Sequence, residues 1–166
     1  MTTLRRQRCM LRAALLCLIV CAAPTGLSCQ LAHAATTELI VTDPNSGLAI
    51  YGYDPVAYFT DRQAKPGHAA FEVTHAGAAW RFRNEGNQAA FVQRPDVYMP
   101  QFGGHDPVGL AQHVPRAGHP LYWAIHKDRL FLFYSESARD AFAADPDKIL
   151  AAAQSNWPEV IRQLAP

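Results

Sequence analysis

The chain has 166 residues, with 15 Lys and Arg, 14 Asp and Glu, and a formal net charge of +1. So even a balance, with the basic residues dispersed, argues against a nucleic-acid-binding protein, which needs a basic face. All four cysteines, Cys9, Cys17, Cys21 and Cys29, lie near the start of the chain.

Arg5, Arg6, Arg8 and Arg12 precede an apolar run from Ala13 to Ala23, and small residues surround Ala32-His33-Ala34-Ala35. A basic region, a short apolar run and an A-x-A site are the parts of a cleaved secretory signal. Residues 1–35 are therefore expected to be removed, by Sec-type export to the periplasm or beyond. Two readings compete. Arg5-Arg6 hints at twin-arginine export, although Gln7-Arg8-Cys9 fits it poorly, and Cys29 hints at lipidation, although Gly26 stands where a lipoprotein signal has Leu. The apolar run is about half the length of a membrane span, and no later segment is apolar enough for one. Cleavage removes four of the fifteen basic residues and none of the fourteen acids, which moves the net charge from +1 to −3. It also removes every thiol, so residues 36–166 are expected to form one domain without disulfides or thiolate chemistry.

That domain carries an internal echo. Gly52-Tyr53-Asp54-Pro55-Val56 recurs as Gly104-His105-Asp106-Pro107-Val108, an offset of 52. At an offset of 51, Gly67-His68 matches Gly118-His119, His75 matches His126, Phe82 matches Phe133, Ala90-Phe91 matches Ala141-Phe142, and Pro95-Asp96 matches Pro146-Asp147. The halves are about residues 51–101 and 102–153.

In chain order, a short strand is expected at Glu38–Val41. Asp54-Pro55-Val56 is a turn signal, because proline fixes its own φ and biases its predecessor away from helix. Strands at Ala70–His75 and Ala78–Phe82 flank Ala76-Gly77, a hairpin pattern. Asn84 caps a helix over Glu85–Arg94, which Pro95 ends. The second half repeats this: Asp106-Pro107-Val108, strands at Leu121–His126 and Arg129–Tyr134 about Lys127-Asp128, and a helix capped by Ser135 or Ser137 that runs to Ala143 or Ala144. A further helical stretch, Asp147–Ala153, continues toward Trp157-Pro158, and Glu159–Leu164 adds a last turn. The expected fold class is α+β: two pseudo-repeated β-β-α units packed as one domain with a helical C-terminal end. Phe82, Phe133, Phe91 and Phe142 are its expected core.

Tyr53-Asp54-Pro55-Val56-Ala57-Tyr58-Phe59, Trp80-x-Phe82, Phe91, Pro95, Tyr98, Pro100-Gln101-Phe102-Gly103-Gly104 and Asn156-Trp157-Pro158 together resemble an exported YHS-domain protein, over roughly residues 48–158. The resemblance implies a small α+β module, often extracytoplasmic, associated with heavy-metal handling and with copper in particular. Many relatives read Gln-Tyr-Gly-Gly-Tyr-Cys-Ala where this chain has Gln101-Phe102-Gly103-Gly104-His105-Asp106-Pro107. The soft thiolate that suits Cu(I) is replaced by Asp106, and carboxylate with imidazole suits Zn(II) or Cu(II) instead.

The candidate metal ligands are His105, Asp106, His113 and His119, just after Met99 in a Gly- and Pro-rich connection, and the ion would be Cu or Zn. Against this, Asp106 mirrors Asp54 and His119 mirrors His68, so both also read as structural members of the repeat. Tyr53, Asp54 and Tyr58 form a second candidate binding loop, with Tyr58 expected to bury its ring and hydrogen-bond its hydroxyl. His75 and His126, beside the hairpin turns, read as solvated polar residues. No nucleophile elbow, P-loop, dinucleotide fingerprint or H-E-x-x-H is present, so no catalytic residue is assigned. The sequence thus predicts a non-enzymatic YHS-type binding module, for a metal ion through the His105–His119 loop or, alternatively, for a protein or small molecule after loss of metal binding. Protein recovered after bacterial expression of the full-length chain is expected to lack about the first 35 residues by mass spectrometry and to react with no thiol reagent. An intact amino terminus would overturn the export reading.

Overall fold

The computed structural model describes residues 39–164; the expected leader lies outside the described residues. Helices and two small antiparallel sheets build a mixed α and β domain with a C-terminal helix. The elements are α1 (Ala57–Thr60), β1 (His68–His75), β2 (Ala78–Phe82), α2 (Glu85–Gln93), α3 (Pro95–Tyr98), α4 (Pro107–Leu110), β3 (His119–His126), β4 (Arg129–Phe133), α5 (Glu136–Ala144) and α6 (Pro146–Leu164).

Both hairpins form where the pattern places them. Ala76 and Gly77 have φ of 50° and 79°, and Lys127 and Asp128 have 48° and 58°. Two successive positive φ values match the right-handed twist of the flanking strands in a tight two-residue turn. In each hairpin the register shifts near the open end, between His68 and Glu72 in β1 and between His119 and Trp123 in β3. The strands thereby start earlier than expected, at His68 and His119. Asn84 caps α2 by accepting from the Asn87 amide at 2.8 Å. Ser135, rather than Ser137, caps α5, accepting from the Ala138 amide at 3.2 Å.

The two sheets do not join, yet they share a core. Trp80 and Phe82 of β2, Leu130 and Leu132 of β4, Phe91 of α2, Ile50 and Tyr58 pack in one buried cluster. The next side chains of β4, Phe131 and Phe133, point the other way, to Phe142 of α5. β4 is therefore buried on both faces, whereas β2 leaves Ala79 and Arg81 half-exposed. All four expected core phenylalanines are buried.

Two expectations are corrected. No strand forms over residues 39–41: this segment crosses between two loops, with the Val41 amide donating to Gly103 O at 2.8 Å and Val41 O accepting from the Ile50 amide at 2.9 Å. Only Thr42 makes an isolated bridge there, to Ala49. The C-terminal stretch is one helix, α6, that continues through Pro158. Proline costs a helix one internal hydrogen bond, and packing outweighs that cost: Ala153, Trp157, Val160 and Leu164 line up against Leu110 of α4 and Phe102.

Glycine is required where loop meets hairpin. A Cβ on Gly67 would lie 2.5 Å from the Arg81 carbonyl carbon, and one on Gly118 would lie 2.5 Å from Gly104 O and 2.6 Å from the Leu132 Cβ. The glycine amides use this proximity to donate to Gly52 O (2.8 Å) and Gly104 O (2.9 Å). Gly118→Ala is expected to destabilise the fold by about 1–3 kcal/mol, the usual cost of overpacking. The check is a lower urea midpoint with an unchanged m-value.

Candidate functional site

The Asp-Pro-Val loops are structural pivots. Asp54 is buried, and its Oδ1 accepts from the amides of Val56 (2.8 Å) and Ala57 (3.3 Å), which begins α1. Its Oδ2 accepts from the Arg83 amide (2.8 Å) and from Asn87 Nδ2 (2.6 Å), which ties the loop to the end of β2 and to α2. Asp106, also buried, caps α4 by accepting from the Val108 amide at 2.9 Å, and it is further held by the backbone of Gly109 and Tyr134. Burial raises its pKa above the ordinary carboxylate value, against the opposing pull of those amides. Tyr58 behaves as expected: its ring is buried against Trp123 and its hydroxyl donates to Pro120 O at 3.0 Å, linking the loop to β3. Desolvation pushes its ionisation far up, so it stays a neutral donor. Tyr53 is half-buried and bridges Pro66 through its backbone. The Tyr53, Asp54 and Tyr58 loop thus joins the parts of the fold.

The four candidate metal ligands are placed as follows. His105 is buried against the Trp157 ring, 5.7 Å between centroids. Asp106 is engaged as a cap. His113 is exposed, with φ of 59°, and its Nδ1 lies 3.4 Å from Asn156 Nδ2 of α6. His119, exposed at the head of β3, makes tilted ring contacts with Tyr51 (6.1 Å) and Tyr122 (5.4 Å). Among the described residues, no group of three or more His, Cys, Asp or Glu side chains stands ready to hold a metal ion. His105 and Asp106 are buried, whereas His113 and His119 are exposed.

His75 and His126 are not simply solvated turn residues. Each is half-buried, its ring edge-on to the phenylalanine of the following helix: His75 to Phe91 at 5.7 Å and 90°, His126 to Phe142 at 5.9 Å and 89°.

His126 leads to a site that the sequence reading missed. The second hairpin turn, the loop at Gln101-Phe102 and the middle of α6 enclose an open cleft of about 350 Å³. Its apolar walls are Phe102, Phe131, Leu150 and Trp157; Gln101 and Gln154 add amides; His126, Lys127 and Arg129 stand at its edge. Phe102 meets Trp157 edge-on at 5.6 Å and Phe131 at 6.4 Å. Its φ of 55° is a conformation that aromatic residues rarely adopt, and such backbone strain concentrates at binding and switch regions. A signal did exist, since Gln101-Phe102 and Trp157 belong to two of the segments that carried the family resemblance; their meeting in space was not legible.

No family model matches the chain, and comparison with curated proteins and with solved structures finds no match.

The raised pKa of Asp106 carries a sign. A carboxyl that ionises later in the folded than in the unfolded state makes folding bind protons, so stability falls as pH rises from the ordinary carboxylate value to the raised one. The pH profiles of unfolding free energy for wild type and Asp106→Asn are expected to differ by that falling segment alone. Parallel profiles would show that Asp106 ionises as it does in the unfolded chain.

Proposed function

We propose that the protein is an exported, non-enzymatic binding module of YHS type, built from two copies of one hairpin–helix unit, which binds a small molecule in the α6 cleft. Several parallels support the repeated unit. The Asp54 amide donates to Lys65 O and the Asp106 amide to Arg116 O, both at 2.9 Å. His68 pairs with Phe82 as His119 pairs with Phe133. Trp80 and Phe82 embrace Phe91 as Phe131 and Phe133 embrace Phe142, with centroids 5.0–5.3 Å apart.

The observation that carries the ligand reading is the cleft itself: an aromatic-walled concavity with a few polar groups, at the small end of the size range of small-molecule sites. It favours the small-molecule alternative over the metal reading. Asp106 Oδ1 already accepts from the Val108 amide as the α4 cap, and displacing that cap for an ion would cost about 1 kcal/mol before any ligand is gained.

In a thermal-shift screen of small organic compounds, those that raise the melting midpoint are expected to lose their effect in Gln154→Trp, which fills the cleft from an exposed position on α6. In calorimetry, Cu(II), Zn(II) and Cu(I) are expected to show no binding tighter than micromolar. Stabilising compounds indifferent to Gln154→Trp, or tight metal binding abolished by His105→Ala with His119→Ala, would overturn the proposal in favour of another surface or of the metal reading.

A further inference from the structure

We infer that the cleft selects an organic anion, a carboxylate on a flat apolar body; this rests on the small-molecule reading above and specifies its ligand. The division of the lining carries the inference. Phe102 and Trp157, half-buried, offer ring surface to an apolar body above the buried Phe131, while the ionisable groups that line the cleft are His126, Lys127 and Arg129, with no acid among them.

The cations are held by contacts that orient them. Arg129 Nη1 donates to the backbone oxygen of Asp96 at 2.7 Å. That contact uses one of the five donors of a planar guanidinium, a group whose geometry matches a carboxylate in two-point contact. Lys127 Nζ lies 2.6 Å from Asp147 Oδ1, and the same oxygen lies 3.3 Å from His126 Nε2. Lys127 in turn lowers the pKa of Asp147, so the acid stays ionised and steadies both neighbours from outside the cleft. Asp147 engages His126 and Lys127 but is not recorded on Arg129, whose remaining guanidinium donors line a cleft that contains no acid. Charge contacts at an exposed edge fix orientation and selectivity, and apolar area supplies most of the affinity. Gln101 and Gln154 complete a polar margin able to accept as well as donate.

The probes are 2-naphthoate and its neutral isostere 2-naphthamide, titrated into protein purified after expression of the full-length chain. The readouts are tryptophan fluorescence and the indole N–H signal of Trp157. Naphthoate is expected to bind about tenfold more tightly than naphthamide, the scale of one charge-assisted contact. Acetate, which has the charge without the body, is expected to bind far more weakly than either. The preference for naphthoate should shrink as salt rises toward about 1 M, where exposed charges are screened within about 3 Å. Arg129→Gln and Lys127→Gln should each reduce naphthoate affinity several-fold and leave naphthamide unchanged; Lys127 holds no backbone group of another element, as Arg129 holds Asp96 O, so its variant guards against a folding defect. Gln154→Trp should block both compounds.

Equal affinity for acid and amide overturns the anion inference while the cleft remains a binding site. Failure of both compounds to perturb Trp157 at about millimolar concentration also overturns it, and stabilising compounds that Gln154→Trp blocks would still uphold the small-molecule reading. Failure of those compounds as well would end both.

Discussion

A carboxylate buried away from water must be fully hydrogen-bonded or be driven to neutralise, and Asp54 shows what satisfying that demand does to a chain. Its two oxygens take four donors from three parts of the structure: the start of α1, the residue after β2 and the first turn of α2. None of these donors is close to Asp54 in the extended chain except those of Val56 and Ala57. Folding must therefore bring the end of the hairpin and the helix to the loop. With Arg83 and Asn87 fixed, Phe91 is carried over Trp80 and Phe82, and the core closes. Asp106 holds the same post for α4, the backbone beyond β4 and, through them, the contact of α5 with β4.

Much of this could be read from residues alone. The hairpins were legible because two-residue turns between aromatic and aliphatic runs have few alternatives, and α2 and α5 because Asn84 and Ser135 stand where caps stand. Residues 39–41 misled because an apolar run reads as a strand, whereas here its backbone groups are met by two loops instead of a ladder. Pro158 misled because local propensity argues for a break, and the deciding contacts of Trp157 and Val160 come from residues about fifty positions earlier. Tertiary packing of this kind overrides propensity and leaves no local mark.

The sites divide along the same line. Asp54, Asp106 and Tyr58 were recognisable as special from their motif, but a motif does not say whether a polar residue faces a ligand or the fold. All three are buried and hydrogen-bonded within the fold. Among the described residues, the four metal candidates do not assemble into a group of three or more donors. The cleft is the reverse: Gln101, His126 and Gln154 stand far apart in sequence, and no spacing rule relates them. Only the return of α6 across the second hairpin brings them to one margin. The aromatic residue at Phe102 is held there by a left-handed backbone that no propensity favours.

Gly103 adds a constraint of a different kind. Its missing side chain makes room for the carbonyl of Leu39, which would lie 1.7 Å from any Cβ there, and its own oxygen is bound by Val41. The first described residues thus act as a strap over the very turn that presents Phe102 to the cleft. Removal of Leu39 would take away the carbonyl that fills this space and unfasten the loop behind the cleft.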